Sequence, residues 1–156
     1  MVREFYKEFL PHRIDKKGNV LPYVCVDGTY SQPGHHARFG VTFIIDCYTG
    51  LIIDVQAQEM CRECKDKTIL GSTCSQTEPK FHGQSGDTEG KNAFVLFSRA
   101  PEFGFFYIDY VSDGDNKVAP IIQNVYPIDP NDLSKGFIKI SKHECYNHAG
   151  KQLRGR

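Results

Sequence analysis

The sequence predicts a mixed α/β fold, in which a three-strand antiparallel meander is extended by helix–strand crossovers into one sheet. Three observations predict it. Segments rich in β-branched and aromatic residues follow one another from Leu21 to Ala57, with turn residues between them. A helix-type stretch over residues 88–99 then precedes a strongly apolar run at 105–111. The alternation repeats more weakly, with a short helix expected at 117–125 and a strand at 136–140.

Each element has its own local signal. The opening twenty residues are polar and read as an N-terminal extension, a short helix followed by a turn at Asp15-Lys16-Lys17-Gly18-Asn19. Tyr23-Val24-Cys25-Val26-Asp27 is a compact apolar run that closes on an acid and then Gly28, as a buried strand closes. A basic loop with His35, His36 and Arg38 leads into the second strand, residues 39–46. Tyr48-Thr49-Gly50 turns the chain into the third, residues 51–57. Asp46 and Asp54 read as strand-end or solvent-facing acids. Residues 60–88 lack periodicity, and a loop of that length needs something to hold it. The helix after it starts at Ser85 or Thr88 and stops at Pro101. A polar helix is expected from Lys142 onward.

Composition narrows the function classes. With 156 residues, 40% hydrophobic and 24% charged, the chain suits one folded domain and not a disordered segment. Its formal net charge is zero, so charge alone makes no case for nucleic acid. Near the end, however, Lys142, Lys151, Arg154 and Arg156 stand against one acid, Glu144. No apolar run approaches the roughly 20 residues that span a membrane, and no signal-peptide pattern opens the chain. A nuclear or cytoplasmic protein is expected. There, six cysteines are better read as thiols or metal ligands than as disulfides.

The element order resembles the ribonuclease-H-like arrangement, in which the first and fourth strands lie side by side and parallel. That arrangement would bring Asp27, closing the first strand, and Asp113, closing the fourth, to the same sheet edge. Ligands in such sheets collect outside the carboxyl ends of the parallel strands. Two neighbouring carboxylates repel unless a cation neutralises them. Mg²⁺ or Mn²⁺ would suit them, since these ions take carboxylate oxygens, water and substrate phosphates. A pair of such ions serves phosphodiester displacement. An Asp before Gly is also a common turn former, so turn chemistry stands beside the metal site for both residues. Asp115 shares the turn of Asp113 and is its alternative. Asp109 has the parity of Asp113 but lies inside the strand.

Cys61 and Cys64 form a CxxC, followed by Cys74 and His82. Together they have the ligand types of a closed, structural Zn²⁺ site that would staple the 60–88 insertion. Unligated thiols are the competing reading. Cys25 and Cys47, in or beside strands, read as small core residues. Cys145 and His148 are spaced to share one helix face, as a half-buried surface or as two ligands of an incomplete site.

Several motifs, in order, resemble one family. They are Val26-Asp27-Gly28-Thr29-Tyr30, Gly34-His35-His36-Ala37-Arg38-Phe39-Gly40-Val41 and Thr49-Gly50-Leu51-Ile52-Ile53-Asp54-Val55. Cys61-x-x-Cys64, Gly83-Gln84-Ser85-Gly86-Asp87-Thr88-Glu89-Gly90 and Tyr110-Val111-Ser112-Asp113-Gly114-Asp115 continue the series, which ends on Glu144-Cys145-x-x-His148. Over residues 20–156 the chain resembles the catalytic core of Mutator-like transposases. The resemblance implies a ribonuclease-H-like fold and DNA transposition by a DDE mechanism with divalent metal, acting on transposon ends and target DNA, with homo-oligomers possible in the transposition complex. Asp27 matches the first catalytic acid, Asp113 the second, and Cys145 with His148 the C-x-x-H element. Glu89 matches a recurrent glutamate where ribonuclease H has a fourth metal-facing acid; a helix-dipole role is the plain alternative.

The family's third acid, a glutamate beyond the C-x-x-H element, has no counterpart, and neither does the tryptophan of its insertion. The expectation is therefore a partial domain over residues 21–156, truncated at its C-terminus and inactive alone. His35, His36, Arg38, Lys151, Arg154 and Arg156 are the expected phosphate contacts. A non-catalytic, zinc-stabilised module binding nucleic acid or protein is the alternative. A ribonuclease-H-like nuclease using Asp27, Glu89 and Asp113 is a third.

Overall fold

The three β-rich segments pair as a meander. A computed structural model describes residues 1–31, 37–61, 85–112 and 118–144 of the chain. Strands β1 (Tyr23–Tyr30), β2 (Phe39–Asp46) and β3 (Ile52–Glu59) are antiparallel neighbours, with one irregularity in the β2–β3 register at Ile44/Ile45. β4 (Asp109–Ser112) lies parallel to β1, and β5 (Ser141–Glu144) parallel to β4. The five strands run β3-β2-β1-β4-β5, a mixed sheet with the first strand at its centre.

Period-two alternation decides what the sheet buries. Val24, Val26 and Ile44 point to one face and meet Ala93, Leu96 and Phe97 of the helix α2 (Ser85–Arg99). Phe97 is the hub, edge-on to Tyr107 at 5.2 Å and to Tyr110 at 5.9 Å between ring centroids. Edge-to-face pairs of this kind add about 0.5–1.5 kcal/mol beyond area burial. α2 runs into a 3-10 turn, Ala100–Phe103, which Gly104 closes in the left-handed conformation (φ 72°). A short helix, α3 (Ala119–Ile122), adds Ile122 to this core. No helix of the described residues is long and apolar enough to cross a membrane.

Three local expectations change. The apolar run at 105–111 pairs as a strand only from Asp109; before that, Phe105 makes an isolated bridge to Val20. The strand expected at 136–140 is replaced by β5, where a helix was expected to begin. Its polar residues pair because they lie in register with β4, Asp109 with Ser141 and Val111 with His143. The N-terminal residues form the expected short helix, α1 (Val2–Phe9), but not as a loose extension: its Tyr6 is fully buried at the end of the β1–β2 pair. Arg3 donates to Phe103 O at 2.5 Å and lies over the Phe105 ring.

Candidate functional site

Four aspartates lie on described strands, and three are taken up by the fold. Asp46 is fully buried and accepts hydrogen bonds from the Tyr6 hydroxyl at 2.6 Å and from the Thr49 amide and hydroxyl at 2.8 and 2.6 Å. Asp54 is held bidentately by Arg99, Nε to Oδ2 at 2.8 Å and Nη2 to Oδ1 at 2.7 Å. Asp46 does end β2, as expected, but neither acid faces solvent freely. Asp109 receives Arg13 Nη1 at 2.6 Å on one oxygen and faces His143 Nε2 at 3.3 Å on the other. Asp27 differs. It is exposed, and among the described residues no hydrogen bond or ion pair engages its carboxylate.

The place of Asp27 follows from strand pairing. β1 does not close at Asp27, since Gly28, Thr29 and Tyr30 go on to pair with Thr42, Val41 and Gly40. Turn formation therefore does not account for the Asp27-Gly28 pair. On its other side β1 pairs with β4, among the described residues, as far as Cys25↔Val111. Asp27 thus stands two residues beyond the described parallel pairing, toward the carboxyl-end edge where ligands collect in such sheets.

A second acid comes to the same place from above. A Cβ built on Gly28 would lie 3.2 Å from Glu89 Cδ and 3.4 Å from Glu89 Oε2. The glutamate's carboxyl group therefore rests on bare backbone next to Asp27, an approach that glycine permits. The acid in the first turn of α2 is Asp87, not Glu89. Dipole effects fade within that turn, so the helix dipole does not explain Glu89. The glycine inside the strand was the signal in the sequence for this contact, and a turn was the wrong inference from it.

Oxygen donors of this kind fit a hard divalent cation and not a soft one. Among the described residues no three His, Cys, Asp or Glu side chains gather in a metal-holding group. Asp113 and Asp115 lie outside the described residues, as do Cys145, His148, Lys151, Arg154 and Arg156. His35 and His36 of the basic loop, and Cys64, Cys74 and His82 of the insertion, also lie outside them. Cys61 is described and is buried, beside Met60. Arg38 is exposed; its guanidinium lies 3.4 Å from Glu59 Oε1 and 5.2 Å above the Phe39 ring centre. That long, exposed contact leaves the charge available to an anion.

The chain matches the family model described as Mutator-like transposase over residues 4–156. No curated protein and no solved structure matches it. The matched span takes in the five described strands, the helix that carries Glu89 and the edge that carries Asp27. The chain belongs to the Mutator-like transposase family.

Proposed function

We propose that this chain carries a ribonuclease-H-like DDE core that cuts and joins DNA phosphodiesters with divalent metal. The observation that carries this is Asp27, the one described strand aspartate that the fold leaves exposed and unpartnered, beyond the described β1–β4 pairing. The strand order β3-β2-β1-β4-β5, a meander continued by parallel strands, supports the ribonuclease-H-like assignment. β4 leads directly into Ser112-Asp113. Continued at the register of Tyr23↔Asp109 and Cys25↔Val111, the two strands would bring Asp113 level with Asp27.

Asp27 and Asp113, with Asp115 as the alternative to the latter, would hold Mg²⁺ or Mn²⁺. The bound ions would supply activation of the attacking oxygen and stabilisation of the leaving one. Asp27 would orient the phosphodiester by its fixed place on the central strand, and Arg38 and the basic loop would take neighbouring phosphates. A DDE set needs a third acid beside these two, and strand transfer would act on transposon ends and target DNA. The Cys61 to His82 insertion would be stapled by Zn²⁺.

The test is DNA cleavage with Mn²⁺ by the chain joined to a glutamate-bearing downstream helix of the same family, with Asp27→Ala as control. Metal-dependent nicking lost in Asp27→Ala is the expected result. Equal cleavage by both proteins would overturn the assignment of Asp27. Metal-independent DNA retention without cleavage would favour the non-catalytic, zinc-stabilised module.

A further inference from the structure

β3 lies at the edge of the sheet, and among the described residues no strand pairs with its outer side. From Asp54 to Glu59 it pairs with β2 without interruption, and its Ile52 and Val55 are exposed. A long, partly apolar edge of this kind is a template on which another chain can add a strand. In an antiparallel pair, every second residue turns its amide and carbonyl away from the neighbouring strand. Val55 and Ala57 are such residues on β3, and side chains of the same molecule already engage both. The Val55 amide donates to Asp54 Oδ1 at 2.8 Å, and the Val55 carbonyl accepts from Arg99 Nη2 at 2.8 Å. The same Nη2 donates to Asp54 Oδ1 at 2.7 Å, which closes a ring of hydrogen bonds on Val55. Arg99 Nη1 also donates to Gln56 Oε1 at 3.1 Å, and Gln56 Nε2 donates to the Ala57 carbonyl at 3.2 Å.

We propose that Arg99, Asp54 and Gln56 stand in for a neighbouring strand and close the β3 edge to a second copy of this chain. One carboxylate acceptor and one guanidinium donor on Val55 reproduce the two bonds that opposing residues exchange in an antiparallel pair. Without the cap, β3 is self-complementary. Two copies meeting about a twofold axis at Val55 would set Val55 against Val55 and Ile53 against Ala57, apolar against apolar, and Asp54 against Gln56, with no like charges opposed. The cap is aimed by the packed helix, since Arg99 is the last residue of α2. That helix sits so close to β2 that a Cβ added to Gly40 would lie 2.9 Å from Thr88 Cγ2. One turn later the buried Asn92 donates from Nδ2 to Gly40 O at 3.4 Å, Thr42 Oγ1 at 3.3 Å and Gln56 O at 3.3 Å. The edge is therefore closed as long as α2 stays on the sheet.

The test measures self-association of the full chain by sedimentation at rising protein concentration, with amide hydrogen exchange at Val55 read alongside. Arg99→Met removes every donor and keeps an aliphatic stem. In dilute solution its Val55 amide should exchange about fivefold faster than the parent's, the factor of one ordinary hydrogen bond. Its association should be at least about tenfold stronger than the parent's, and protection at Val55 should return as the copies associate. Arg99→Met combined with Val55→Lys should fall back to the parent's association, because a lysine on an edge strand resists strand addition. Tyr6→Phe, destabilised outside this network, should associate as the parent does. Should Arg99→Met fail to fold, Arg99→Lys, which keeps the charge and loses the planar fork, decides by the same readings. Faster exchange at Val55 without stronger association would overturn the guarding role. So would a gain in association that Val55→Lys leaves in place, that Tyr6→Phe shares, or that brings no protection back to Val55, since another surface or general unfolding would then be responsible. Unchanged exchange at Val55 would remove Arg99 from the cap altogether.

Discussion

The hydroxyl of Tyr6, on the N-terminal helix, donates to the carboxylate of Asp46, at the end of β2, across 2.6 Å in a fully buried setting. Tyr6 also accepts from the backbone amide of Tyr23 at 3.1 Å, so one phenol joins α1 to both β1 and β2. Tyr6→Phe keeps the ring and removes the donor from a buried charge. Hydrogen bonds to charged groups contribute about 1.5–3 kcal/mol, and a loss in that range is expected in urea unfolding. A change below about 0.5 kcal/mol, within ordinary surface-substitution scatter, would mean that Thr49 alone satisfies Asp46.

The same burial makes the fold sensitive to alkali. Burial pushes the phenols of Tyr6, Tyr107 and Tyr126 well above the ordinary tyrosine value of 10.0, and the Asp46 hydrogen bond adds to the effect at Tyr6. At the exposed Cys47, partial desolvation of the thiol, with Cys25 and Asp46 nearby, pushes it up to about 11 from 9.0. Each group binds its proton more tightly folded than unfolded. Its stability contribution is full below the unfolded pKa and is lost as pH rises toward the folded one. Unfolding free energy should therefore fall from about pH 9 upward, the Cys47 share by about pH 11 and the tyrosine share continuing beyond. Absorbance at 295 nm should show a group of tyrosines that ionise only as the protein unfolds. A flat stability profile across this window would be incompatible with the burial described.

At the other end of the sheet, Arg99 closes α2 onto β3. Besides its two bonds to Asp54 it donates to Val55 O at 2.8 Å and Gln56 Oε1 at 3.1 Å. Lysine cannot reproduce a planar fork of this kind. Arg99→Lys should cost about 1 kcal/mol, a modest figure because the pair is partly exposed and screened. A double-mutant cycle with Asp54→Asn should return most of that cost as coupling.

What was legible in the sequence followed burial, and what was not followed pairing. The β-branched runs of β1 and β2 alternate cleanly between core and open face, so their strands and the parallel neighbour of β1 were readable. The apolar residues Phe105 and Phe106 signalled a buried segment, yet burial there is met by ring packing, and ladder pairing begins only at Asp109. β5 carries Ser141, Lys142 and His143, with no apolar alternation to reveal it; its register with β4 makes it a strand. Strand position and motif set Asp27 apart from Asp46, Asp54 and Asp109, but the partners of those three were hidden because Tyr6, Arg99 and Arg13 reach them from distant segments. Gly28 and Gly40 were visible only as glycines within apolar runs. What lies over them is a tertiary fact.

Asn92 offers the sharpest test of that packing, because its amide faces oxygens on three sides. Asn92→Asp would place carboxylate oxygens against Gly40 O and Gln56 O, with no change in shape. A buried, unpaired charge of this sort costs about 3–5 kcal/mol. Desolvation and the facing carbonyls would raise the folded pKa of the new acid above its unfolded value. Its protonated form, which keeps one hydrogen to donate, would then be tolerated at low pH. The penalty relative to the parent should be smallest below about pH 4 and should grow as pH rises toward neutrality. Urea unfolding of both proteins at pH 4 and pH 7 would measure this. A penalty independent of pH would show that the side chain swings out to solvent, and that α2 is not fixed over Gly40 in the way the hydrogen bonds of Asn92 require.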